Sequence, residues 1–243
     1  MQIHKITFPP NALRSLAPDR LSAFLLLGHF VTEANWLQKL LLYATQQQTN
    51  NDAEKSSRLI LALLMTKALA TRLHEGWARL RNGELATVLS GLVLSERAMA
   101  AEAQLLVMLQ KDSVIHRLRR TVGAHYPTSL SMVGLPNIHQ SDVSLYMTRH
   151  AGDTISMISE LAVVAEFNEI AGKSRVGEAL GVVVDTIIRA TGLYSDYLHG
   201  ALIALIDASP GLEPVDEAIQ NAEAIPLLEA KLRFFVTPPG APA

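Results

Sequence analysis

Apolar side chains recur every three or four positions along most of this chain, the spacing that places them on one face of an α-helix. In residues 19–46 the pattern runs through Leu21, Leu25, Phe30, Leu37 and Leu41. The same spacing predicts further long helices over residues 52–81, 84–110, 153–171 and 174–207, and short ones over 112–126 and 142–150. Helices this apolar are stable when they pack on one another, so the pattern predicts an all-α, multi-helix, up-and-down bundle.

Residues with special backbone preferences mark the predicted helix boundaries. Asp52 and Asp112 are predicted N-caps, because a short polar side chain can accept a hydrogen bond from the first turn. Gly83 and Gly172 are predicted stops, since glycine adopts the left-handed conformation that often ends a helix. Gly91 follows a serine and predicts a break within residues 84–110.

The two ends of the chain differ from the helical middle. Residues 3–8 and 232–237 are short β-favouring runs that can pair as two strands. Residues 209–243 hold several prolines and predict an irregular tail with one short helix near 215–224. The predicted organisation is therefore a helical bundle domain over residues 1–208 and a proline-containing tail over 209–243 that packs on it.

Composition narrows the class of protein. Of the 243 residues, 49% are hydrophobic and 18% are charged, which is typical of a globular chain and not of a disordered one. The absence of cysteine excludes disulfides, thiolate metal sites and a cysteine nucleophile. The sequence lacks an uninterrupted apolar run of about 18 residues and the features of a cleavable leader, so we expect a cytoplasmic protein without a membrane partner.

The formal net charge of −2 does not indicate a nucleic-acid-binding protein. The charge is unevenly distributed, however. Residues 111–127 contain four basic residues and one acidic residue, a local charge of +3, and the other 226 residues sum to −5. A binding site requires only a local field, so this segment is the first candidate for chemistry on a phosphate.

Within the segment, Arg119 and Arg120 precede His125 by six and five positions. Histidine titrates near neutral pH and can act as general acid or base on an RNA 2′-hydroxyl. An arginine can hold the scissile phosphate and stabilise its developing charge. These three residues are the candidate catalytic set, and Lys111, His116, Arg117 and Tyr126 are candidate RNA-binding residues.

The helix that carries these residues resembles the signature helix of the HEPN superfamily, whose motif is an arginine, commonly a polar residue, and then a histidine after four to six intervening positions. Several abortive-infection members have the pattern Leu-Arg-Asn/Asp-Lys-Val-Ala-Phe-His-Tyr. Five positions match it, namely Leu118, Arg119, Val122, His125 and Tyr126. The chain departs from it at Arg120, where Asn or Asp is usual, and at Ala124, where Phe is common.

The resemblance implies a metal-independent endoribonuclease or RNA-binding protein of a bacterial toxin–antitoxin or phage-defence system. It implies Arg119 as the motif arginine, Arg120 as its polar neighbour and His125 as the motif histidine, with no cofactor. It also implies a homodimer in which two motifs meet across a shared cleft, with an antitoxin protein as a possible further partner. In an unbroken α-helix Arg119 and His125 lie about 120° apart, which agrees with a site completed by a second copy.

Two other functions remain open. The chain can be a non-catalytic, dimeric helical interaction protein, in which Arg119 and Arg120 are solvated and His125 favours a helix C-terminus. It can also be a metal-dependent bundle enzyme that uses the pairs His29 and Glu33, and Asp196 and His199, each of which shares a helix face.

Four further residues have predicted structural roles. Trp36 and Trp77 lie within apolar helical repeats and are predicted core residues. Gly177 and Gly181 share one helix face, which favours close approach of another backbone.

Overall fold

The computed structural model describes residues 2–46, 49–123, 144–147 and 154–221. The helices are α1 (Pro10–Ser15), α2 (Pro18–Gln46), α3 (Asp52–Leu80), α4 (Gly83–Ser90), α5 (Glu96–Met108), α6 (Val114–Leu118), α7 (Met157–Ala171) and α8 (Val176–Asp207). A π-helical turn, Arg119–Gly123, continues α6. The strands are β1 (Gln2–Thr7), β2 (Leu145–Tyr146), β3 (Ile155–Ser156) and β4 (Val215–Asn221). The predicted all-α, multi-helix fold is confirmed.

Helix α8 is the central element of the bundle. It packs against α2, α3, α5 and α7. Its buried side chains recur at the helical spacing and include Val183, Ile187, Ala190, Leu198 and Leu205, all completely buried. Burial of each valine, leucine or isoleucine side chain in this set stabilises the fold by roughly 1.5–3 kcal/mol, so the packing around α8 is a major source of stability.

A tight contact in this packing joins α5 to α8. Gly200 of α8 lies so close to Ala98 of α5 that a Cβ at position 200 would collide with the Ala98 Cβ. Both positions are therefore restricted to small side chains, and the restriction sets how closely the two helices approach.

Most of the predicted helix boundaries agree with the structure to within a few residues. Gly172 ends α7 with a φ of 62°, and α4 ends at Ser90, where the break was predicted. Two N-cap predictions were wrong by one residue. Asn51, not Asp52, caps α3 by accepting the N–H of Glu54, and Ser113, not Asp112, caps α6 by accepting the N–H of His116.

Two predicted short helices were wrong where the structure describes them. In the range 142–150, Leu145 and Tyr146 form β2, which pairs antiparallel with β3. In the range 215–224, residues 215–221 form β4, which pairs antiparallel with β1 from Thr7 opposite Val215 to Gln2 opposite Asn221. Helical propensity is a weak preference, and backbone hydrogen bonds to a partner strand override it here. The predicted pairing of residues 3–8 was with 232–237, a segment outside the described residues.

Two further predictions from side-chain pattern were wrong. Trp77 is buried, but Trp36 is 61% exposed, with the Lys39 ammonium over its ring. In the described part of the chain, no heavy atom lies within 4 Å of a Cβ built at Gly177 or Gly181, apart from α8's own neighbouring backbone, so no other described helix approaches this face closely. Among the described helices, none is both long enough and apolar enough to span a membrane.

The Gly200 contact can be tested against a matched glycine on the same helix. Gly200→Ala is expected to lower the free energy of unfolding by about 1–3 kcal/mol, because the added methyl group overpacks the α5–α8 contact. Gly192→Ala, whose Cβ meets no atom within 4 Å, is expected to stabilise the protein by about 0.5–1 kcal/mol. Urea denaturation of the two variants measures both effects, and equal changes would contradict the assigned packing.

Candidate functional site

The first candidate site lies where α6 passes into the π-helical turn. Ile115 and Leu118 are completely buried and fix α6 to the bundle core. The intervening residues His116 and Arg117 stay partly exposed, and Arg119 begins the turn. The predicted unbroken α-helix through the motif was therefore wrong from Arg119 to Gly123. Short π-helical turns occur frequently at functional sites, because the wider turn redirects side chains.

A histidine from a distant part of the sequence joins this segment. The ring of His74, on α3, lies with its centroid 5.4 Å from that of His116, and the ring planes are inclined by 48°. The Nδ1 atom of His116 accepts the backbone N–H of Asp112 at 3.2 Å. This bond places the proton of a neutral His116 ring on Nε2. Asp112 makes the bond from a left-handed conformation, with a φ of 64°.

The electrostatic environment keeps His74 neutral. Burial lowers the pKa of His74 below its ordinary value, and the positive charge of Arg119, together with that of His116 when it is protonated, lowers it further. The carboxylate of Glu75 acts in the opposite direction with a smaller effect. At neutral pH, His74 is therefore an imidazole that can accept a proton beside a guanidinium group.

The arginines of the segment differ in their surroundings. The Nε of Arg119 is closed off from solvent without a hydrogen-bond partner among the described residues, whereas Arg120 is exposed. Arg117 faces Glu169 of α7, with 3.9 Å between Nη2 and Oε1. Burial and the neighbouring Glu169 raise the pKa of Glu166 on α7, and Arg117 opposes this shift. A buried guanidinium N–H without an acceptor is costly, so Arg119 is a candidate anion-binding residue.

We define the Arg119 cluster as His74, His116 and Arg119, which are linked by the ring contact and by the charge effect on His74. The structure thus brings His74 to two of the residues that the sequence indicated, while Arg117 faces α7. Lys111 and Arg120 are exposed, and His125 and Tyr126 lie outside the described residues. Sequence reasoning missed His74, which lies 42 positions before His116 and belongs to no recognisable motif. Only the packing of α6 on α3 brings the two rings together.

The residues proposed for the alternative metal site, His29, Glu33, Asp196 and His199, do not form one cluster of metal ligands. Glu33 forms an ion pair with Arg72 at 3.0 Å, and Asp196 forms one with Arg97 at 2.6 Å. Among the described residues, no three histidine, aspartate or glutamate side chains lie together as metal ligands would.

His29 and Glu33 instead line a cleft of about 600 Å³, whose walls come mainly from α2, α3 and α4. Tyr194 of α8 also lines it, and its buried hydroxyl, without a described hydrogen-bond partner, lies against Gly76. Burial is the main cause that raises the pKa of Tyr194 well above its ordinary value, and the charge of Glu33 adds to the shift.

The effect of Arg119 on His74 can be measured directly. Arg119→Gln is expected to raise the pKa of His74, because it removes a positive charge that disfavours the imidazolium form. An NMR titration of the His74 ring measures the change. Arg189→Gln, at an exposed arginine of α8 that bonds to Gln104, is the matched control and should leave the His74 midpoint in place.

The same shift has a consequence for stability. The folded-state pKa of His74 lies below the ordinary value of 6.5, so below that pH the unfolded chain binds more protons. The contribution of His74 to stability is therefore present above pH 6.5 and is lost as the pH falls through 6.5 toward the folded pKa. His74→Gln should weaken this acid dependence in urea denaturation, and an unchanged dependence would contradict the assignment.

Comparisons of this chain with protein-family models, with curated proteins and with solved structures give no match. The function is therefore inferred from the chemistry of the Arg119 cluster and from the motif resemblance.

Proposed function

We propose that this protein is a HEPN-like, metal-independent endoribonuclease whose site is built on Arg119, His125 and His74. One observation carries the proposal. The residue in the motif-arginine position has a buried guanidinium N–H without a partner among the described residues, and it lies close enough to His74 to lower the pKa of that histidine. A group that can bind phosphate therefore lies near a group that can accept a proton, which supports phosphodiester cleavage as the reaction.

The proposed reaction is an internal transesterification of RNA. His74 accepts the proton of a ribose 2′-hydroxyl, and the 2′-oxygen forms a bond to the adjacent phosphorus. The bond from phosphorus to the 5′-oxygen then breaks, and His125, the motif histidine, donates a proton to that oxygen. The products are a 2′,3′-cyclic phosphate and a 5′-hydroxyl end, so proton transfer between two histidines replaces a metal ion.

Arg119 has the electrostatic role in this scheme. Its guanidinium binds the non-bridging phosphate oxygens, where negative charge grows in the transition state. Arg120 is exposed one residue further along the turn and provides a second positive charge for the strand. Arg117 is partly neutralised by Glu169, which fits a supporting role in positioning.

The proposed substrate is RNA and not DNA, because the attacking group is the 2′-hydroxyl. The net charge of −2 provides no general attraction for nucleic acid, so we expect contact at a few phosphates and not along a broad basic face. The HEPN resemblance adds two partners to this proposal. One is a second copy of the chain, so that two motifs face one cleft in a homodimer. The other is an antitoxin that covers the cleft.

The proposal predicts RNA cleavage in the presence of a chelator. Purified protein is expected to convert a labelled single-stranded RNA into fragments with cyclic phosphate ends. His125→Ala and Arg119→Gln should each lower the rate by about 10²-fold or more, because each removes a group that acts in the transition state. His74→Gln should lower it similarly, and in the wild type kcat/KM should fall as the pH drops and His74 becomes protonated.

The controls use exposed residues of α8 outside the cluster. His199→Ala and Arg189→Gln should cleave at the wild-type rate. Equal cleavage by wild type and His125→Ala would exclude the motif chemistry. Tight dimerisation without cleavage would favour the interaction-protein alternative. Cleavage lost in His125→Ala but kept in His74→Gln would retain the motif and remove His74 from the mechanism.

A further inference from the structure

A second concave surface lies at the other end of α3. We call it the α3–α8 groove. It has a volume of about 730 Å³ and is bounded by the end of α2, the first turns of α3 and the first half of α8. Its lining includes Lys55, Arg58, Gly177, Gly181 and Asp185. Arg58 and His74 are 16 positions apart on α3, which corresponds to about 24 Å along the helix, so the groove is separate from the Arg119 cluster.

The two glycines of α8 help to keep the groove open. Gly177 and Gly181 are four positions apart and therefore lie on the same face of α8. Among the described residues, nothing lies within 4 Å of a Cβ built at either position, apart from the neighbouring backbone of α8. Glycine within a helix costs roughly 0.5–1 kcal/mol relative to alanine, and here no contact with another element offsets the cost. The two glycines leave space in the groove for a bound group, which accounts for the presence of glycine at these positions.

Arg58 is the principal candidate for binding a ligand in the groove. Its Nε and Nη1 atoms are closed off from solvent, and neither has a hydrogen-bond partner in the described part of the chain. Burying guanidinium N–H groups without an acceptor costs free energy, so an anion that enters the groove and accepts a hydrogen bond from this guanidinium would offset part of that cost. The planar fork of arginine matches the oxygens of a phosphate group.

The other polar groups around the groove agree with an anionic ligand. Lys55 adds a positive charge and is paired with Asp52 at 2.8 Å in an exposed position. Asp185 is the acidic residue of the lining and is exposed. Gln46 and Asn50 add side-chain amides that can donate hydrogen bonds. The lining therefore carries a net positive charge of one, concentrated on Arg58.

We infer that the α3–α8 groove binds the phosphate group of a small phosphorylated molecule, with Arg58 as the principal ligand. The groove is large enough for a molecule of mononucleotide size. The inference is independent of the proposed ribonuclease activity, because it uses a different end of α3 and none of the residues of the Arg119 cluster.

The first test measures binding by thermal unfolding and equilibrium dialysis. The probes are inorganic phosphate and AMP, with adenosine and sodium chloride of matched ionic strength as negative controls. Phosphate and AMP are expected to raise the unfolding midpoint in a concentration-dependent way, and the two controls are not. The inference would be overturned if neither phosphate nor AMP raised the unfolding midpoint. It would also be overturned if adenosine or sodium chloride raised the midpoint as much as the phosphate probes do.

The second test changes the groove itself. Arg58→Met is expected to weaken AMP binding by about tenfold or more, because it removes charge-assisted hydrogen bonds. Without ligand, the same variant should unfold at the wild-type midpoint or above it, since it also removes an unpartnered buried charge. Arg189→Met is the matched control and should bind AMP as the wild type does.

A second variant, in which a side chain fills the groove, tests the inference if Arg58→Met does not fold. Gly181→Leu places a side chain in the open space and should abolish AMP binding while preserving helix α8. An unaffected AMP affinity in either variant would overturn the inference. A single-stranded RNA that competes with AMP in the wild type, but not in Arg58→Met, would assign the phosphate to an RNA strand instead of a small molecule.

Discussion

The close packing of other helices on α8 is the constraint on which the rest of the structure depends. Because Gly200 has no side chain, α5 can pack directly on α8 at Ala98. Helices α2, α3 and α7 pack against other parts of α8, and α6 is fixed to the core through Ile115 and Leu118. Both candidate sites are therefore held by elements that cannot shift without opening the core, a degree of preorganisation that binding and catalysis both favour.

Long-range packing also decides which polar groups meet. The rings of His74 and His116 come from helices whose apolar residues face the same core, and their contact follows from the register of that packing. The nitrogens of Arg58 and Arg119 that lack a hydrogen-bond partner among the described residues are likewise closed off from solvent by the folding of the chain around them.

The helical class and the long helices could be predicted from sequence because they depend on local spacing. Gly172, for example, ends α7 as its conformational freedom predicts. Three features could not be predicted, because each depends on contacts between distant segments. Residues 215–221 form a strand only because β1 lies beside them, Trp36 is exposed because no helix covers it, and His74 joins the candidate site only through tertiary packing.

The pairing of β1 with β4 has a consequence for how the protein reaches its native state. Thr7 and Val215 are partners although 208 positions separate them in the chain. Closing so long a loop carries an entropic penalty, whereas most helix contacts form between nearer segments. We therefore expect this small sheet to form late in folding, after the helices have brought the two segments together.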